Sequence, residues 1–213
     1  MNWKKRSKYR MNTEEEESNL SLGPLIINTE QIQSASSIRI VENKIYFYDD
    51  ITNESVLDLN KILLEVDTKL QNTKNILGDS FDPIIHLHMK TDGGEIFSAI
   101  STLDLIPTLK SKVYTYIDGC VASAGTLISI IGHKRYMGKN AYLLIHQLSG
   151  EMYGKFSEME DHMENSSNLM KFIKGIYKKY TKIPMKQLDE LLKRDLWLDS
   201  SKCLEYGIID EIL

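Results

Sequence analysis

Only two cysteines, Cys120 and Cys203, occur in the 213 residues, too few for a disulfide framework. Unpaired thiols fit a reducing, cytoplasmic setting. There is no basic excess: the net charge is −4, which argues against nucleic acid as a partner. No stretch approaches the roughly 18 apolar residues of a membrane span, so no membrane association is expected. The basic residues 1–10 are followed by Asn12-Thr13-Glu14-Glu15-Glu16-Glu17 rather than an apolar run, so no leader is expected either. Internal repeats are absent. What is present, 42% hydrophobic and 26% charged residues, is enough to bury one full core.

Residues 1–37 pass from basic to acidic and end in Ser34-Ala35-Ser36-Ser37, which predicts a mobile N-terminal segment. Within it, Pro24-Leu25-Ile26-Ile27 is a short apolar run able to dock. Regular patterning starts at Ile38. The runs 38–41 and 45–48 read as strands around the turn Glu42-Asn43-Lys44. Val56, Leu59, Leu63, Val66 and Leu70 lie on one face of a helix capped by Thr52 or Asn53 and ending near Leu70. A strand over 83–89, a helix over 95–109, a strand over 113–117 ending at Gly119, and a helix from Ser123 to Ile131 follow. Short strands are expected near 135–137 and 142–146. Helices then dominate: a long one over 157–180, suggested by Phe156, Met159, Met163, Met170, Ile173, Tyr177 and Tyr180, one from Pro184 to Lys193, and a short one over 200–206. A closing strand falls within 208–212. Strands alternating with helices predict βαβ units and a mostly parallel sheet.

Three segments carry chemistry. Thr91-Asp92-Gly93-Gly94 is a glycine turn after a strand, able to aim backbone N–H groups at a carbonyl oxygen. Ser123, between Ala122 and Ala124-Gly125, sits at a helix start where free N–H groups favour an oxyanion. His146 ends an apolar strand, two residues beyond Leu144. An acid, Asp195, follows between Arg194 and apolar Leu196-Trp197-Leu198; an acid sinking into such an apolar segment is expected to be buried and to need a partner, and a histidine N–H is a fitting one. Glu151, Glu158 and Asp199 are acids in weaker contexts. Each feature alone also fits an ordinary turn, helix cap, core histidine or ion pair. His86 and His88 share a strand face, but no third ligand clusters with them, so no metal site is expected.

Taken in order, these segments resemble one family. From about Ile38 to Leu213 the chain is similar to ClpP, the proteolytic subunit of Clp protease. The resemblance rests on Thr91-Asp92-Gly93-Gly94, Ala122-Ser123-Ala124-Gly125, Ile145-His146-Gln147, Arg194-Asp195 and Glu205-Tyr206-Gly207-Ile208-Ile209-Asp210. It implies an α/β fold, the ClpP/crotonase-like spiral of ββα units, with a protruding handle helix at about 149–182. It implies a serine endopeptidase with Ser123 as nucleophile, His146 as base and Asp195 as its orienting acid. Backbone N–H groups of Gly94 and Ala124 would hold the oxyanion. A polypeptide substrate would lie as an added strand between Gly93, Gly94, Glu95 and Ile96 on one side and Gln147, Leu148 and Ser149 on the other. No cofactor enters such chemistry. The family assembles as a homo-oligomer, a tetradecamer of two heptameric rings, which an AAA+ Clp unfoldase feeds.

The chain departs from the family at Asp92 and Leu148, where proline is usual, and at Ala124, where methionine is usual. Lys193 stands where an acid is frequent. Two rival readings remain on sequence grounds. One is a Ser–Lys protease of the same fold, of signal-peptide-peptidase or prohead-protease type. The other is a catalytically silent ring subunit.

Overall fold

In the computed structural model, residues 37–213 are described. The expectations for the N-terminal segment, Ser37 apart, lie outside them. β1 (Arg39–Val41) and β2 (Lys44–Tyr48) form an antiparallel hairpin, and α1 (Asn53–Leu77) follows. Then come β3 (Ile84–Thr91), α2 (Ile96–Leu105), β4 (Lys112–Ala122), α3 (Ala124–Ser129), β5 (Lys134–Met137) and β6 (Tyr142–Leu144). The chain closes with α4 (Phe156–Tyr180), α5 (Met185–Leu192), β7 (Trp197–Asp199), α6 (Ser200–Glu205) and β8 (Glu211–Ile212). The sheet runs β1-β2-β3-β4-β5-β8, parallel from β2 onward.

Alternation along the strands sends Ile45, Phe47, Ile85, Leu87, Met89, Val113, Ile117 and Met137 into the core. Val56, Leu59, Leu63 and Val66 of α1 are buried with them in the same hydrophobic cluster. The opposite face carries rings. Tyr46, His88, Tyr116 and Tyr136 stack in sequence with centroids 4.6, 4.4 and 4.7 Å apart. Here His86 Nδ1 meets the Tyr116 hydroxyl at 2.7 Å and His88 Nδ1 meets Asp118 at 2.8 Å. Both histidines are thus built into the ladder.

β4 is the pivot. Its first half pairs with β5 and its last three residues, Cys120–Ala122, pair with β6. Between them the register against β3 jumps, from Met89↔Ile117 to Thr91↔Val121. The bulge redirects the end of the strand onto a new neighbour. β4 therefore continues past Gly119, where the sequence suggested it would stop. α2 is shorter than expected because Pro107 cannot supply a helical N–H, and Ile106–Thr108 tightens into a 3-10 turn. α1 outruns the expected end near Leu70 because nothing breaks it before Gly78. Its Thr52–Ser55 capping box fixes the start.

α4 has 25 residues, about 37 Å at 1.5 Å per residue. Only Ile173 and Tyr177 are buried, both in its last third. Residues 156–165 are all exposed, Phe156 and Met163 among them. Among the described residues no helix is long and apolar enough to cross a membrane.

Candidate active site

A single residue, Ser123, turns β4 into α3. Its φ of +52° and ψ of −127° form a conformation that costs a side-chain-bearing residue about 1–3 kcal/mol. The surroundings hold it there. Its N–H donates to the Leu144 carbonyl at 3.0 Å, and its own carbonyl accepts from the Thr126 N–H at 3.0 Å. The sharp turn sets the hydroxyl at the start of a helix, where the first N–H groups, beginning with Ala124, have no intrahelical acceptor.

The glycine turn packs directly beneath. A Cβ on Gly93 would lie 2.5 Å from Ser123 Cβ, and one on Gly94 would lie 2.2 Å from the Ile51 carbonyl oxygen. Both also have positive φ, +103° and +139°. No other residue fits either position. The Ile51 N–H donates to the Gly93 carbonyl at 2.7 Å and the Glu95 N–H donates to the Ile51 carbonyl at 2.8 Å. This parallel bridge pins Gly94 while leaving its own N–H without a partner among the described residues.

His146 arrives from β6. Because Ala122 pairs with Leu144, the residues just beyond each strand run side by side. Nε2 of His146 is 2.6 Å from Ser123 Oγ. With Nε2 unprotonated, the serine hydroxyl donates to it. The other ring nitrogen, Nδ1, lies 3.7 Å from Asp195 Oδ1. That is an ion-pair distance, longer than a hydrogen bond. The Asp195 side chain is 80% exposed, against 23% for His146. The burial expected of Asp195 from its apolar neighbours is not observed. Leu196 and Trp197 are themselves about half exposed.

Beside the serine lies a cavity of about 60 Å³. Of the residues expected to meet a substrate, Gly94, Ile96, Ala124, Gln147, Leu148 and Ser149 line it. Gly93 and Glu95 do not: Gly93 supports Ser123 from below, and the Glu95 carboxylate accepts from Ser98 Oγ at 2.9 Å. On the far side, the Gln147 N–H donates to the Leu192 carbonyl at 2.7 Å and the Leu148 N–H points to Met170 Sδ at 3.2 Å. Leu127, Ile173 and Tyr177 complete the wall. Sequence reasoning placed Ile173 and Tyr177 in the long helix but not at the site. Their i, i+4 spacing shows only that they share a face, not what the face meets. Among the described residues no group of three His, Cys, Asp or Glu side chains is placed to hold a metal ion.

Comparison with known proteins bears on the fold and the family. A solved structure of a ClpP1 mutant from Listeria monocytogenes matches with a TM-score of 0.68 and 24% identity, over 81% of this chain and 91% of that one. The fold is therefore the ClpP/crotonase-like one. The family model described as Clp protease matches residues 30–213, all of the region that carries the sheet, the serine turn and the long helix. By that match the chain belongs to the Clp protease family.

Proposed function

We propose that the chain is a serine endopeptidase, the proteolytic subunit of a self-compartmentalised ring protease that cleaves unfolded polypeptides. The observation that carries this reading is the 2.6 Å contact between Ser123 Oγ and His146 Nε2 at a strained strand-to-helix turn. His146 takes the serine proton as Oγ attacks the scissile carbonyl. The oxyanion forms against the N–H groups of Gly94 and Ala124, each donor contributing about 3 kcal/mol. His146 then protonates the leaving amine, and water, activated by the same histidine, hydrolyses the acyl-enzyme. Asp195 steadies the imidazolium. The P1 side chain enters the cavity walled by Leu127, Ile173 and Tyr177.

In this reading the exposed first part of α4 is the handle through which two heptameric rings meet, and a cytoplasmic AAA+ unfoldase supplies substrate. The exposed apolar residues Phe156, Met159 and Met163 support such a contact. The Ser–Lys alternative is disfavoured, since among the described residues no lysine lines the cavity at Ser123. The test is turnover of a fluorogenic peptide by the assembled protein and its Ser123→Ala variant. Turnover by wild type alone supports the reading. Equal rates for the two proteins would overturn it.

A further inference from the structure

α4 reaches the nucleophile turn through two hydroxyls. Thr126 Oγ1 donates to the Ser123 carbonyl at 2.6 Å, beside the bond from the Thr126 N–H. A carbonyl oxygen only accepts, so the single threonine proton is committed there. In its contact with the Tyr177 hydroxyl, Thr126 Oγ1 must therefore accept and the phenol must donate. The chain has one sense: Tyr177 O–H to Thr126 Oγ1, then Thr126 O–H to the Ser123 carbonyl. Both residues are shut away from water, Thr126 at 0% and Tyr177 at 2% exposure. Burial pushes the Tyr177 phenol well above the ordinary tyrosine range, with the Thr126 contact offsetting only part, so the donor keeps its proton. Successive hydrogen bonds in such a shielded chain strengthen one another.

The end of the chain matters because the Ser123 carbonyl belongs to the peptide unit whose N–H is that of Ala124. Serine does not hold a φ of +52° without restraint from its surroundings. We propose that Tyr177 is a positioning residue: from α4, acting through Thr126, it locks the Ser123–Ala124 peptide so that Ser123 Oγ stays at His146 and the Ala124 N–H stays aimed at the oxyanion. This deepens, and rests on, the serine-peptidase reading. It also gives the long helix a direct hold on the reacting serine. A tyrosine that only filled the core would need its ring and not its hydroxyl.

Tyr177→Phe keeps the ring and removes the donor. Thr126→Val keeps the shape and removes the link, and Thr126→Ser restores it. In the assembled full chain, Tyr177→Phe lowers kcat for a fluorogenic peptide by about fivefold to tenfold, the value of one buried hydrogen bond, with KM changed by less than about twofold. Thr126→Val does at least as much, Thr126→Ser recovers most of the rate, and the double variant is no worse than Thr126→Val alone. Hydrogen–deuterium exchange of the segment 122–127 quickens in Tyr177→Phe. An unchanged kcat, or a loss confined to KM, overturns the proposal whatever the exchange does. If wild type and Ser123→Ala are equally inert, the peptidase reading falls by itself and exchange decides the lock. Faster exchange then upholds it, and unchanged exchange refutes it.

Discussion

Replacing Gly94 with alanine tests the oxyanion assignment at one atom. The new Cβ would lie 2.2 Å from the Ile51 carbonyl oxygen, whereas ordinary contacts begin near 3.4 Å. The neighbour is backbone and is held by its own bridge to residues 93 and 95, so it does not swing aside. Something must open by about 1.2 Å. In addition, a φ of +139° is strained for alanine. Either the bridge breaks or the Gly94 N–H turns away from the position it holds next to Ser123. A donor displaced by an ångström no longer meets an oxyanion at 2.7–3.1 Å. Loss of one such donor lowers kcat by about 10²- to 10³-fold. Strain adds a stability loss of about 1–3 kcal/mol. The assay is kcat and KM on a fluorogenic peptide, with thermal unfolding and native mass measured on the same sample. A folded, assembled Gly94→Ala protein with kcat within about threefold of wild type would refute the reasoning and place the oxyanion elsewhere.

Two further outcomes follow from charged groups. Asp195 is solvent-exposed and 3.7 Å from the imidazole. In a water-like dielectric that coupling amounts to about 1 kcal/mol. Asp195→Asn should therefore lower kcat/KM by only about fivefold, while His146→Ala removes nearly all activity; a loss as deep as that of His146→Ala would contradict the open geometry. Arg135 forks onto Asp210, with Nε at 3.0 Å and Nη2 at 2.6 Å, and its Nη1 donates to the Tyr180 and Gly207 carbonyls at 2.6 and 2.9 Å. Arg135→Met should cost about 3 kcal/mol in denaturant unfolding, and a loss below about 1 would contradict it. Burial pushes the Asp210 carboxyl up, but the Arg135 bonds outweigh it and hold the carboxyl below its ordinary 3.8. A depressed folded value means that this stabilisation is complete at neutral pH. It fades as the pH drops below 3.8 and through the folded value. Asp210→Asn should flatten that acid-side decline, seen as unfolding midpoint against pH.

The grouping of the candidate site's parts was legible because they sit at strand ends. Gly93-Gly94, Ser123 and His146 each follow a strand, and parallel pairing of those strands brings their ends together. The helices were legible from their apolar spacing. What the chain did not disclose depends on contacts between distant segments. The bulge before Cys120 arises because β4 serves two partners, β5 and β6, and one strand's pattern cannot show that. β7 is three residues long and exists only by pairing with β6. Asp195 looked buried because Leu196 and Trp197 flank it, yet those side chains are half exposed themselves. Tyr177 read as one more apolar helix position, since its value lies in a hydroxyl that meets Thr126 from 51 residues away.

The most direct test of the central claim is labelling with a fluorophosphonate probe, with the modified residue mapped by peptide mass. The account predicts a single adduct on Ser123 in the assembled wild-type protein. It predicts none in Ser123→Ala and almost none in His146→Ala, with both variants folded. An adduct on another residue, or equal labelling in His146→Ala, would contradict it.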